Sequence, residues 1–208
     1  MTALAVTSIT NFILAAEVFF LAGLMFGRRP ASRSAAWFWS LAMLFVGLSA
    51  LLGGIDHGFF EIHGDTPIRN VIEHSNWILI GLVTLWAFLT TLYQFVPERW
   101  QKTLLSVAGA QFAIYVVVSI LIDNFLVVLV NYAPVMLFLL AMSFRGLTDG
   151  SGSWAFIIGI SLLFVASGVQ AAGLDVFSPF DRNSLYHFGM MAAVVFLYRG
   201  GVKLKGIL

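Results

Sequence analysis

Apolar runs of about 20 residues, each ended by charges, proline or glycine, recur along the whole 208-residue chain. That is the length an α-helix needs to cross a hydrocarbon core about 30 Å thick. The punctuation divides the chain into helices over 7–27, 34–57, 67–95, 102–122, 125–144, 153–174 and 183–200. Arg28, Arg29 and Pro30 stop the first helix. Asp65-Thr66-Pro67 opens the third, with proline in a first turn where its missing N–H costs nothing. Asp123-Asn124 turns the fourth into the fifth, and Gly150-Ser151-Gly152-Ser153 is the flexible connector to the sixth. The fold class that follows is all-α, an integral membrane bundle of seven transmembrane helices forming one domain over 1–208. The composition supports this, because 60% hydrophobic and 10% charged residues lie far from the roughly 25% charged residues of soluble domains. The first run lacks a basic leader and a small-residue cleavage site, so it reads as a retained helix.

Charge sets the expected orientation. Arg28, Arg29, Arg33, Arg99, Lys102, Arg145, Arg199, Lys203 and Lys205, nine of the eleven basic residues, fall at one set of helix ends, with Arg69 and Arg182 at the other. Short loops rich in Lys and Arg stay in the cytoplasm. The expectation is therefore a multi-pass membrane protein with its N-terminus outside and its C-terminus in the cytoplasm. A net charge of +1 projects no long-range field, which excludes a nucleic-acid partner. The absence of cysteine removes thiolate chemistry and Cys-ligated cofactors.

Polar residues collect at the outer ends. His57, His63, His74 and His187 all map there, with Asn70, Glu73, Asn76, Asn131, Tyr132, Gln170 and Asn183. A polar group in hydrocarbon without a partner costs several kcal/mol, so these side chains predict a polar cavity in the outer half of the bundle. Ser49, Gly53 and His57 share a face at i, i+4 and i+8. Asn183 reads as an N-cap for the seventh helix, one turn before His187. Glu17 stands mid-helix with about ten apolar neighbours on each side, where an ionisable group is by default a functional candidate. It lies about 14 Å deep against about 12 Å for Ser49, which puts the two within reach of a hydrogen bond.

Imidazoles from three helices at similar depth, with carboxylates beside them, suit Zn²⁺ and its three or four N and O ligands. The ligand candidates are His57 and His187, then His74, with Asp56, Glu73 or Asp181 as fourth ligand, orienting group or general base, and Ser49 beside them. The stretch from His57 through Glu61 to His63 lacks the H-E-x-x-H spacing, so the constellation spans helices instead of lying in one motif.

Gly53-Gly54-Ile55-Asp56-His57-Gly58-Phe59, closing the second helix, and Asn183-Ser184-Leu185-Tyr186-His187, opening the seventh, with Leu197-Tyr198-Arg199-Gly200 ending it, resemble a group of small bacterial seven-helix proteins with no assigned activity. More distantly, one histidine ending helix two and another opening helix seven resemble the CREST superfamily of seven-helix zinc hydrolases, which includes the alkaline ceramidases and the progestin and adipoQ receptors. That resemblance implies zinc held by histidines of helices two and seven, and hydrolysis of lipid amides. The superfamily has a serine four residues before the first histidine, where this chain has Gly53, and a second histidine on helix seven, where it has Met191. Glu73 is then the acidic residue available on helix three, and His74 is available in place of the missing ligand.

The expected function is a membrane-embedded, zinc-dependent hydrolase of lipid amide or ester bonds, its substrate a membrane lipid. Two other classes compete. One is electron transfer by a haem held between His57 or His74 and His187. The other is a sensor or receptor without chemistry, in which Glu17 exchanges protons or the cavity binds a small ligand. A retinal protein is disfavoured because its Schiff base needs a lysine deep in a helix, and Lys102, Lys203 and Lys205 all fall at cytoplasmic ends. Transport is disfavoured by the lack of an inverted repeat and of a polar path through the inner half.

Overall fold

The computed structural model describes residues 2–175 and 177–207. Seven helices appear in it: α1 (Ala3–Gly27), α2 (Ala35–Ile55), α3 (Pro67–Phe95), α4 (Glu98–Leu121), α5 (Leu126–Arg145), α6 (Trp154–Ala171) and α7 (Arg182–Gly201). They match the expected spans to within a few residues. Six are long and apolar enough to cross a membrane. The exception is α7, whose first turn carries Arg182, Asn183 and Ser184. Short polar side chains start the helices by capping orphan N–H groups: Thr2 accepts from Ala5, Ser34 from Trp37, Thr66 from Arg69 and Asp181 from Ser184. The N-cap of α7 is thus Asp181, two residues before the expected Asn183, whose side chain turns to Gln170 instead.

The helices run up and down. Starts of α1, α3, α5 and α7 meet ends of α2, α4 and α6, as the Thr7–Asp181, His74–Asp123 and Gln170–Asn183 contacts record. We call this the polar end. The basic residues of the α1–α2 and α3–α4 connections, the end of α5 and the tail share the opposite, basic end. Helix α1 packs on α2 and α7, α2 on α3, and α6 on α7, while α5 joins α3 to α6 and α4 lies outermost. Val18, Met25, Leu139, Ile160 and Ala193 form a dry core. The outward faces are apolar too, with Ile13, Phe20, Ile114, Leu121 and Val130 among the exposed residues. A bundle that is apolar both inside and outside is an integral membrane protein.

At the end of α2 the backbone widens into a single π-turn, Asp56–Phe60, followed by a 3₁₀ turn, Glu61–His63. Glu61 N–H reaches back five residues to the Asp56 carbonyl. Such turns occur most often at functional sites, because the extra residue re-aims the side chains around it. Here it sets the direction of Asp56 and His57.

Candidate functional site

A cavity of about 310 Å³ opens inside the polar end. Helix α1 contributes Asn11, α2 gives Ser49 and Gly53, the π-turn gives Asp56 and His57, and α3 gives Arg69, Glu73 and Asn76. Gln170 of α6 and Asn183, Tyr186 and His187 of α7 complete the polar lining. The polar groups expected to meet in one pocket therefore do so. Beneath it lies an apolar cavity of about 40 Å³ among Trp39, Met43, Ala87, Tyr132 and Met136. Val46 and Met190 border both.

Each cavity histidine is held through one ring nitrogen. His57 Nδ1 is hydrogen-bonded to Glu61 one turn on. A carboxylate only accepts, so Nδ1 carries the hydrogen. His187 Nδ1 lies 2.8 Å from Thr10 Oγ1. That hydroxyl has one proton and donates it to the Thr7 carbonyl at 2.9 Å, so it accepts from His187. In both neutral rings the lone pair then belongs to Nε2. Orienting partners on Nδ1 of this kind accompany metal-ligating histidines.

Asp56 Oδ1 and Arg69 Nε are both buried, face each other at 3.5 Å, and make no closer hydrogen bond among the described residues. Ligand atoms of Asp56, His57 and Glu61 lie within 4.8 Å of one another. Arg69 faces both acids, with Nε 3.5 Å from Asp56 Oδ1 and Nη2 3.9 Å from Glu61 Oε1, and its Nη1 donates to the exposed Asp65 at 3.0 Å. With Glu73 also on the wall, three carboxyl groups stand against one guanidinium. Fully ionised, that excess favours a cation. The donor types suit zinc, which takes imidazole nitrogen and carboxylate oxygen: among the described residues the ligand atoms that lie together are those of Asp56, His57 and Glu61, and His187 lines the same cavity outside that group.

Other expected residues are placed differently. His74 is absent from the cavity lining; its Nδ1 bonds the Asn70 carbonyl at 2.8 Å and its Nε2 faces Asp123 at 3.5 Å. His63 ends the 3₁₀ turn, exposed. Ser49 lines the cavity, and its hydroxyl donates to Asn76 Oδ1 at 2.6 Å, not to Glu17. Glu17 lies half-buried on α1, outside the cavity. Asn131 pairs with Gln111 of α4 at 3.0 Å. Asp181 binds Thr7 and Ser184 and acts as a cap. Partial burial pushes its carboxyl up, but hydrogen bonds from the Ser184 N–H, the Thr7 hydroxyl and the Ser184 hydroxyl outweigh this and hold it below the usual carboxylate range.

Thr10, Asn11, Glu61 and Arg69 were not among the expected site residues. For Glu61 the signal was present, since it follows His57 at i+4. Thr10 offered none, because only packing of α1 on α7 brings it to His187.

A family model matches residues 6–205. The chain belongs to DUF6962, a family of unknown function. No curated protein and no solved structure matches it. Every cavity residue named above falls within the DUF6962 match.

Proposed function

We propose that this protein is a membrane-embedded, zinc-dependent hydrolase of lipid amide or ester bonds, with its site at the polar end. The observation that carries the reading is the pair His57 and His187, each tied through Nδ1 and each lining one cavity, with Asp56 grouped beside His57. His57, His187 and Asp56 would hold the ion. When bound, zinc supplies an acidified water and polarises a carbonyl. The chain's own residues do the rest. Glu61 and Thr10 keep the two rings in the ligating tautomer. Glu73, on the cavity wall, would take the water's proton, and Ser49 and Asn76 would orient a polar headgroup. Arg69 faces the carboxyl groups of Asp56 and Glu61 and offsets their negative charge. The apolar cavity below excludes water from the far side of the site. The distribution of Lys and Arg supports a polar end that faces outward and a C-terminus in the cytoplasm.

Elemental analysis of the detergent-purified protein tests the proposal. The expected result is about one zinc per chain, the occupancy of a single catalytic site, lost in both His57→Ala and His187→Ala, with hydrolysis of fluorescent lipid amides or esters lost in parallel. Zinc content unchanged in both variants removes the proposal.

A further inference from the structure

Glu17 lines neither cavity and has no polar partner among the described residues. It lies about 15 Å from the nearer end of α1 at 1.5 Å per residue, and among the described residues its carboxyl makes no hydrogen bond or ion pair. Its neighbours along the helix surface are Ile13, Phe20 and Leu24, exposed by 52%, 65% and 41%. These are lipid-facing residues, so the carboxyl sits at the edge of the lipid-facing side of an integral membrane protein. An ionisable group there costs at least about 2.5 kcal/mol, and hydrocarbon offers nothing to bond it.

Three features identify what does. Ile13, Glu17, Phe20, Leu24 and Gly27 are spaced 4, 3, 4 and 3 residues apart, the seam by which two helices supercoil. Copies of one chain insert with one topology, so their α1 helices are parallel and each Glu17 meets the other at the same depth. A neutral carboxyl is one donor and one acceptor, so two of them across a two-fold axis satisfy each other completely. Neither acyl chains nor an apolar helix of another protein has that complementarity.

We propose that two copies of this chain associate through the outward face of α1, with the two Glu17 carboxyls hydrogen-bonded to each other across a two-fold axis. The interface is isologous, as closed dimers require. It is independent of the metal chemistry at the polar end, since Glu17 lines neither cavity.

The chain has no cysteine, so single introduced thiols report the interface in native membranes. Phe20→Cys is expected to give a covalent dimer on oxidation. Val165→Cys, equally exposed at 65% but on α6, is expected to give none. In mild detergent the wild type and Glu17→Gln, which retains donor and acceptor, are expected to dimerise. Glu17→Leu is expected to associate about tenfold more weakly, with an unchanged thermal midpoint showing that its fold is intact. Equal cross-linking at both thiols, none at Phe20→Cys, dimerisation of Glu17→Leu matching wild type, a monomeric wild type, or a wild type bound to a different protein would each overturn the proposal.

Discussion

Thr10 has a single hydroxyl proton, and the Thr7 carbonyl takes it. That small constraint determines which nitrogen of His187 faces a ligand, and Thr10→Val tests it. The variant keeps the shape of α1 but leaves His187 Nδ1 without an acceptor. Zinc affinity is expected to fall on the order of 10-fold to 100-fold, as for other orienting partners, read by competition with a chromogenic chelator. Asp181 provides a second test at this scale. Its carboxyl is held below the usual range, so its contribution to stability is complete above that range and disappears as pH falls through the lowered value. The thermal midpoint of wild type is expected to exceed that of Asp181→Asn at neutral pH, and the gap is expected to close on acidification. A gap that stays constant from neutral pH to strong acid would show that the charge contributes nothing. His57 and His187 were legible as residues, being rare polar groups at helix ends. Their tautomers were not, because the groups that decide them come from a neighbouring turn and another helix.

The end of α2 shows how one element carries its site. A regular helix would continue through Asp56 and His57, and the apolar pattern up to Ile55 predicts just that. The π-turn inserts one residue, and Gly58 permits it to sit against α1: a Cβ at that position would lie 2.5 Å from Ser8 Oγ. The same hydroxyl donates to the Gly54 carbonyl at 2.8 Å. Gly58→Ala must therefore rotate Ser8 away and lose that bond, or shift the turn. A loss of about 1–3 kcal/mol is expected, seen as a lowered midpoint of thermal unfolding in detergent. An unchanged midpoint would mean that the turn has slack. Helix ends in general were readable to within a few residues because capping is local chemistry. The widened turn was not, since the close approach of Gly58 to Ser8 of α1 is a tertiary contact.

For the whole molecule, the polar cavity joins five helices and the π-turn, so an ion bound there acts as a cross-link. If the ion binds only the folded chain, occupancy at a hundred times its dissociation constant adds about 2.7 kcal/mol. Chelator treatment is expected to lower the thermal midpoint of wild type and to leave His57→Ala/His187→Ala unaffected. An equal response in both would place the metal elsewhere or nowhere.

Hydropathy and charge, taken along the chain alone, determined the seven helices, their alternating direction and the gathering of polar groups at one end, because the cost of bare polar groups in hydrocarbon acts on every segment separately. Only the tertiary structure decided that Ser49 answers Asn76, that His74 turns away to Asp123 and that Glu17 stays out of the polar cavity. Those choices depend on the rotation of each helix about its own axis, which is set by how neighbouring side chains interlock.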